Sequence, residues 1–421
     1  MATNRVYVLV HLPGEREPVP AGVLSIDTIE GVREFRYGRM YLDRPDAVPL
    51  DPVSLPLQER TVRRDTRKPM FGGIRDSMPD SWGRAVLAYQ KGVRAKALSE
   101  VELLVGGGES RVGNLSFRAG LDDLEAHENV LPEVTDLDRL MAMADAVEAD
   151  QRTSDRHTLH LLGKGTSMGG ARPKCTVVDD DAMWIAKFPS RMDGEKNVER
   201  TEYATMTLAE AAGLDVAGIR LVQVADRDVL LVRRFDREFD GKGFTKRGYL
   251  SAKSLMKDQG EYGYADLAGR MRALPGVRPE DLVELYRRMV FNVACRNEDD
   301  HGRNHGMIRD ESGAMHLSPA FDVVPSATVR DNRVRLSLEI GKWGTAGSLD
   351  NLLSRAGEFG LTEEQAMGEI DAVMEATEDW ETHFRNCGLD DRDIETYRNN
   401  FENTVRQEWR DLQRQGMALS G

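Results

Sequence analysis

Near position 300 the chain reads Asn297-Glu298-Asp299-Asp300-His301-Gly302-Arg303-Asn304, and after an apolar strand and a turn it reads Ser318-Pro319-Ala320-Phe321-Asp322. A carboxylate, an amide five positions on and a second carboxylate beyond a short hairpin are the groups that phosphoryl transfer needs. Asp299 would accept a hydroxyl proton, while Asn304 and Asp322 would hold Mg²⁺ between the phosphates. Asp299 needs no raised pKa for this, because such an acid mainly orients the hydroxyl and takes its proton late. Each residue alone would suit an ordinary turn; the ordered set predicts a site. His301 and His305 are four apart, but Gly302 and Asn304 disfavour the helix that a zinc pair would share, so His301 is read as an organiser of the loop. A serine-hydrolase elbow is not expected.

A phosphotransfer loop needs a rigid support and a nucleotide cradle. The support is the apolar periodicity of Leu282, Leu285, Met289, Val290 and Val293, which predicts a helix ending near Arg296 and presenting Asp299. The cradle is sought in Gly163-Lys164-Gly165-Thr166-Ser167-Met168-Gly169-Gly170, read as a loop whose glycines let backbone amides approach phosphate oxygens. It lacks the spacing of a Walker A loop or a dinucleotide fingerprint, and a plain glycine-rich hairpin turn would read alike. Lys187, closing the apolar strand of Trp184-Ile185-Ala186-Lys187, needs an anion if it points inward. ATP phosphate and a helix carboxylate, Glu199 or Glu202, are the candidates, with Glu202 preferred.

The remaining elements follow from periodicity and punctuation. Residues 4 to 57 alternate short β-like runs with turns, as in a small antiparallel sheet, a helix is expected across Asp76 to Ala97, and "SRVGNLSF" reads as a strand closing this part. Helices are expected at Leu137 to Ala149 and Asn197 to Ala212, with paired strands over Lys174 to Phe188 and two more through "IRLVQV" and "DVLLVRRF". The C-terminal third reads as helical, with single helices over 362 to 385 and 391 to 414. The stretch 240 to 264 is Gly- and Lys-rich without periodicity, so it is expected to be mobile and to border the substrate. The predicted fold class is α+β and two-lobed. A β-rich N-terminal subdomain covers 1–118, an N-lobe 119–236 and a helical C-lobe 237–421.

The chain has 421 residues, which calls for more than one core. It has no apolar run long enough to span a bilayer and no leader-like start, so a cytoplasmic protein is expected. Cys175, Cys295 and Cys387 are too scattered for a zinc site and are read as reduced thiols. With 57 basic and 71 acidic residues the net charge is −14, which argues against broad affinity for nucleic acid. Arg60, Arg63, Arg64, Arg67 and Lys68 form a local basic stretch that could face phosphates or simply be solvated.

The segments "FGGIRDSMPDSWGR" (71 to 84), "SMGGARPK" (167 to 174), "WIAKFP" (184 to 189), "VRRFDR" (232 to 237), "DDHGRNH" (299 to 305) and "LSPAFD" (317 to 322), in this order, resemble the HipA family of bacterial toxin kinases. The resemblance spans nearly the whole chain. It implies a serine/threonine protein kinase with the two-lobed protein-kinase-like fold, using ATP and Mg²⁺. By that resemblance Asp299 is catalytic and Asn304 and Asp322 bind metal. The ATP-binding set is Ser167, Met168, Gly169, Gly170, Ala171, Lys174, Lys187, Arg233, Arg234, Phe235, His301, Asn304 and Asp322. Arg233 departs from the family pattern, where a glutamate is common. Ser167 matches the family's inhibitory autophosphorylation site; a phosphate there would put negative charge on a loop that must hold another phosphate.

The resemblance further implies a HipB-like helix-turn-helix antitoxin as partner, with DNA reached only through it. The implied substrate is an aminoacyl-tRNA synthetase, typically glutamyl-tRNA synthetase. Two other readings share these motifs: a catalytically weak scaffold holding an antitoxin at its operator, and a kinase of small molecules or lipids. Retention of Lys187, Asp299, Asn304 and Asp322 argues against the first, and the lack of a membrane-facing segment against the second.

Overall fold

The computed structural model describes residues 3–120, 131–151, 153–165, 170–256, 262–326 and 331–420. The chain divides into two compact units. The first comprises Met1–Gly194, Val222–Asp258 and Ile308–Gly313, and the second Glu195–Leu221, Gln259–Met307 and Ala314–Gly421. No described helix is long and apolar enough to cross a membrane.

The first unit has two hydrophobic cores. Its N-terminal sheet contains β1 (Thr3–Val10), β2 (Val19–Asp27), β3 (Val32–Tyr37), β4 (Val62–Asp65) and β5 (Leu115–Arg118) in the order β4-β3-β2-β1-β5. Val6, Val8 and Val10 alternate inward at a period of two and are buried, as a half-covered antiparallel strand requires. β5 pairs antiparallel with β1, so "SRVGNLSF" closes this sheet. Within the stretch of expected β-like runs, Arg39–Leu42 forms a short helix. The second sheet carries β6 (Lys174–Asp179) and β7 (Ala182–Lys187), joined by a tight turn. β9 (Arg227–Arg233) pairs with β7, and β8 (Ile219–Val224), of which Val222–Val224 belongs to this unit, forms the edge beyond it. Among the helices that accompany these sheets are α1 (Ser81–Lys91), α2 (Leu137–Glu148) and α3 (Arg156–Gly165). α1 sends Leu87 and Ala88 into the first core and Trp82, Val86 and Tyr89 into the second.

Two further expectations are corrected in this unit, and one is kept. Gly163, Lys164 and Gly165 are not loop: they form the last turn of α3. The two glycines serve close packing, since a Cβ at Gly165 would collide with Cys175 and the Thr176 carbonyl, and one at Gly163 with Gln90. The basic stretch matches its solvated reading, with Arg60, Arg63, Arg67 and Lys68 exposed. Arg63 pairs with Glu34, Arg67 with Asp65, and Arg64 donates to the Pro69 and Met70 carbonyls while lying 5.5 Å from the Phe71 ring centroid. The aperiodic stretch after Asp240 is built into structure, with strands at Phe244–Lys246 and Tyr249–Ser251 and a helical turn at Ala252–Leu255; residues 257–261 lie outside the described residues.

The second unit is mainly helical around α5 (Pro279–Ala294), which follows α4 (Val198–Ala211) in sequence. Leu285, Met289, Val290, Phe291 and Val293 of α5 are fully buried. The two long helices expected at the C-terminus are four: α6 (Glu363–Ala376), α7 (Trp380–Asn386), α8 (Asp391–Phe401) and α9 (Thr404–Ser420). Buried Arg406 and Asn403 hold the first and last breaks, and Gly388, left-handed at φ 86°, turns the middle one. Arg406 donates to the carbonyls of Met374 and Phe401, taking up helix-end acceptors that water would otherwise have to satisfy. Asn403 Oδ1 accepts the amides of Val405 and Arg406, and its Nδ2 caps the α5 carbonyls of Val293 and Ala294.

Candidate functional site

In the second unit, the chain leaves α5 through Arg296, whose backbone is left-handed at φ 53°. The following loop is clamped at several points. The Glu298 amide donates to Ser326 Oγ, the Ser337 hydroxyl donates to the Glu298 carbonyl, and the Asp299 amide donates to Asn297 Oδ1. Asn304 Nδ2 donates to the Asp299 carbonyl at 2.9 Å, closing the loop on itself. The Asp299 carboxylate therefore stands on a fixed backbone while its side chain remains 83% exposed. His301 is also exposed, with Nε2 3.9 Å from Asp299 Oδ1.

Asp322 is positioned by an independent set of bonds. Ala320 exchanges backbone hydrogen bonds with Asp215 and Ala217, the Ser318 amide donates to the Gly306 carbonyl, and Arg288 Nη2 donates to the Ser318 carbonyl at 2.6 Å. Asp322 itself has φ 58°, a left-handed conformation that Asp tolerates better than most residues and that clusters at functional sites. Asn304 and Asp322 line one cleft, together with Asn292, Asn297, Asp300 and His305.

The cleft floor is a polar network that the sequence did not reveal. Asp300 is fully buried; its Oδ1 accepts the Ser337 amide and its Oδ2 the Tyr264 hydroxyl at 2.7 Å. Tyr264 in turn accepts from Asn292 Nδ2, and Asn297 Nδ2 donates to Asn292 Oδ1. Burial outweighs these bonds and pushes the Asp300 carboxyl up to about 6, while burial holds the His305 imidazole down at about 3, so His305 is neutral. An asparagine inside the otherwise apolar run "MVFNVAC" was the available sequence signal.

In the first unit, Lys174 on β6 and Lys187 on β7 occupy directly paired positions, and both are buried. Two buried lysines at paired positions of neighbouring strands suit an anion site. Gly170, at φ 104°, packs under the Lys174 ammonium, where a Cβ would collide. The "DSMPDSWGR" motif anchors this turn: the Gly170 amide donates to Asp80 Oδ2, the Trp82 amide to the Gly170 carbonyl, and Trp82 Nε1 to the Lys174 carbonyl at 2.8 Å. Asp80 and Trp82 are thus positioning residues that spacing alone did not flag. Ala171 is exposed. Thr166, Ser167, Met168 and Gly169 lie outside the described residues. Gly165 to Gly169 does spell Gly-x-Ser-x-Gly, but a helix precedes it and a strand follows the turn, the reverse of a hydrolase elbow.

Past β9, Arg233 is exposed and the Arg234 amide donates to the Met183 carbonyl. The Arg234 side chain is committed elsewhere, in a buried pair with Asp236 and in bonds to the Ser110 and Arg111 carbonyls, which leaves only its backbone carbonyl for a ligand. The Phe235 ring lies 6.3 Å from that of Tyr249. Glu199 and Glu202, both on α4 in the second unit, are buried.

Comparison with known proteins places the chain. A model of the HipA N-terminal domain matches residues 16–118, and one of the HipA-like C-terminal domain matches 166–381. Among curated relatives, the Sinorhizobium fredii protein named "Putative kinase Y4mE" is 25% identical over 344 residues, covering 75% of this chain and 77% of the relative. "Putative kinase Y4dM" of the same organism is 25% identical over 225 residues, about half of each chain. HipA of Shewanella oneidensis, solved in a complex with HipB and operator DNA, superposes with a TM-score of 0.66 over 94% of this chain and 95% of its own at 17% identity, which establishes a common fold. With the C-terminal model alone covering just over half of its length, the chain belongs to the HipA family.

Proposed function

We propose that the protein is a serine/threonine protein kinase acting as the toxin of a HipBA-like module. The observation that carries this reading is the convergence of Asn304 and Asp322 on one cleft, with Asn304 tied to the carbonyl of Asp299. In this reading Asp299 orients the substrate hydroxyl and takes its proton. Lys174 and Lys187 bind nucleotide phosphate, Lys187 pairs with Glu202, and residues 233–235 meet the adenine through backbone. Asn304 keeps its Oδ1 unclaimed by any described donor, and with the Asp322 carboxylate it offers the oxygen ligands that a hard divalent cation takes. Mg²⁺ held there supplies neutralisation of phosphate charge. His301 helps hold the loop. Residues 1–118, 119–236 and 237–421 serve as N-terminal β-rich subdomain, nucleotide lobe and catalytic lobe.

The protein target is an aminoacyl-tRNA synthetase, glutamyl-tRNA synthetase first among them, and phosphorylation of Ser167 switches the kinase off. A HipB-like antitoxin restrains the protein and carries contact with DNA. Support for the module comes from family membership and from the fold shared with a HipA that was solved with HipB. The test is transfer of labelled γ-phosphate from ATP to a synthetase panel, with phosphoproteomics after expression of the native chain and Asp299→Ala. A shared phosphoserine absent from the Asp299→Ala sample is expected. Full transfer by both Asp299→Ala and Asp322→Asn would overturn the site.

A further inference from the structure

A cavity of about 300 Å³ in the first unit lies between α1, the last turn of α3 and the segment leading into β5. Its charged lining consists of Glu109, Arg111, Arg118 and Lys164, with His160 at the rim. The single carboxylate is already taken: Glu109 Oε1 accepts Arg118 Nη1 at 2.7 Å, and its Oε2 accepts Lys246 Nζ and Ser116 Oγ, each at 2.6 Å. Arg111 is buried over the Phe117 ring, 4.8 Å from the centroid, and donates only to the carbonyls of Gly108, Ser77 and Leu104. Behind them Asp236 is shared by Arg234 and Arg237. Arg111, Arg118, Lys164, Arg234, Arg237 and Lys246 thus stand against two carboxylates, Glu109 and Asp236.

Buried positive charge in such excess is costly unless an anion joins it. Burial and mutual repulsion hold Lys246 down at about 8 and Arg237 at about 9 despite their carboxylate partners. Backbone carbonyls account for Arg111, Arg234 and Arg237 as structural groups. Arg118, only 6% exposed, donates through Nη1 to Glu109 and to the Phe117 carbonyl, but its Nε is buried with no acceptor among the described residues. Lys164 has no carboxylate partner among the described residues.

We infer that this cavity is a second anion site, separate from the proposed phosphotransfer residues, that takes the phosphate group of a small ligand, free or esterified. A guanidinium presents parallel N–H donors that match phosphate oxygens, Lys164 adds a point charge at the mouth, and the volume leaves room for a small body behind the phosphate. The inference stands whether or not the chain transfers phosphate.

The full chain is titrated calorimetrically with inorganic phosphate and, separately, glycerol 3-phosphate, at constant ionic strength with chloride as control. Saturable binding is expected, unchanged in Asp322→Asn, weakened about tenfold in Lys164→Gln and lost in Arg118→Gln. Tighter binding of the ester assigns the site to a phosphorylated metabolite, and tighter binding of inorganic phosphate assigns it to the free ion. Should Arg118→Gln fail to fold, Lys164→Gln decides, since its half-buried side chain ends a helix. The inference is overturned by no binding beyond chloride, by a Lys164→Gln chain that titrates like the native one, or by loss of binding in Asp322→Asn.

Discussion

Asp299 projects its carboxylate into water from a backbone that is tied on both sides, so removing the side chain should cost chemistry and not stability. Asp299→Ala is expected to lower phosphate transfer by about 10²- to 10⁴-fold, the usual worth of a positioned acid-base group. Its melting temperature should stay within a degree or two of the native value, read by calorimetry. Asp300, its neighbour, behaves oppositely. The folded-state pKa of about 6 lies above the ordinary 3.8, so between these values the folded chain holds more protons than the unfolded one. Stability contributed by this group is therefore complete below about pH 4 and is lost as the pH rises through 6. In Asp300→Asn that loss should vanish, by roughly 3 kcal/mol across the window, seen as a flatter curve of stability against pH than the native one. Spacing made Asp299, Asn304 and Asp322 readable, because loop chemistry is local. The Asp300–Tyr264 pair was not, because its partners are 36 residues apart and meet only through packing.

At the scale of elements, α3 shows why glycine content misled. Three of the eight residues from Gly163 to Gly170 occupy a helix where the neighbours, not the backbone, demand glycine. Helix propensity alone would make alanine better by about 1 kcal/mol at either position. At Gly165 the obstacle is the Thr176 backbone, which cannot move aside, and Gly165→Ala should destabilise by about 1–3 kcal/mol. Gly163→Ala meets only the flexible end of Gln90, whose bond to the Leu159 carbonyl would be lost, so gain and loss nearly cancel. Chemical denaturation of the two variants side by side checks the contrast. The C-terminal helices were legible as apolar periodicity, but their first and last breaks were not, since Arg406 and Asn403 cap turns that are distant in sequence.

At the scale of the molecule, a net charge of −14 opposes the phosphate backbone of DNA, so the chain alone should give no shift of random duplex at physiological salt, while a complex with the proposed HipB-like antitoxin should bind an operator. An electrophoretic titration with and without antitoxin separates these. The larger lesson lies in α1. It fills both hydrophobic cores of the first unit and carries Asp80 and Trp82 to the Gly170 turn. A shortened protein starting at residue 119 would keep every residue assigned to nucleotide and metal, yet it would lose the wall of one core and the anchor of the cradle. The N-terminal region is therefore not a detachable accessory: cutting it away would leave one core open and the Gly170 turn without its anchor.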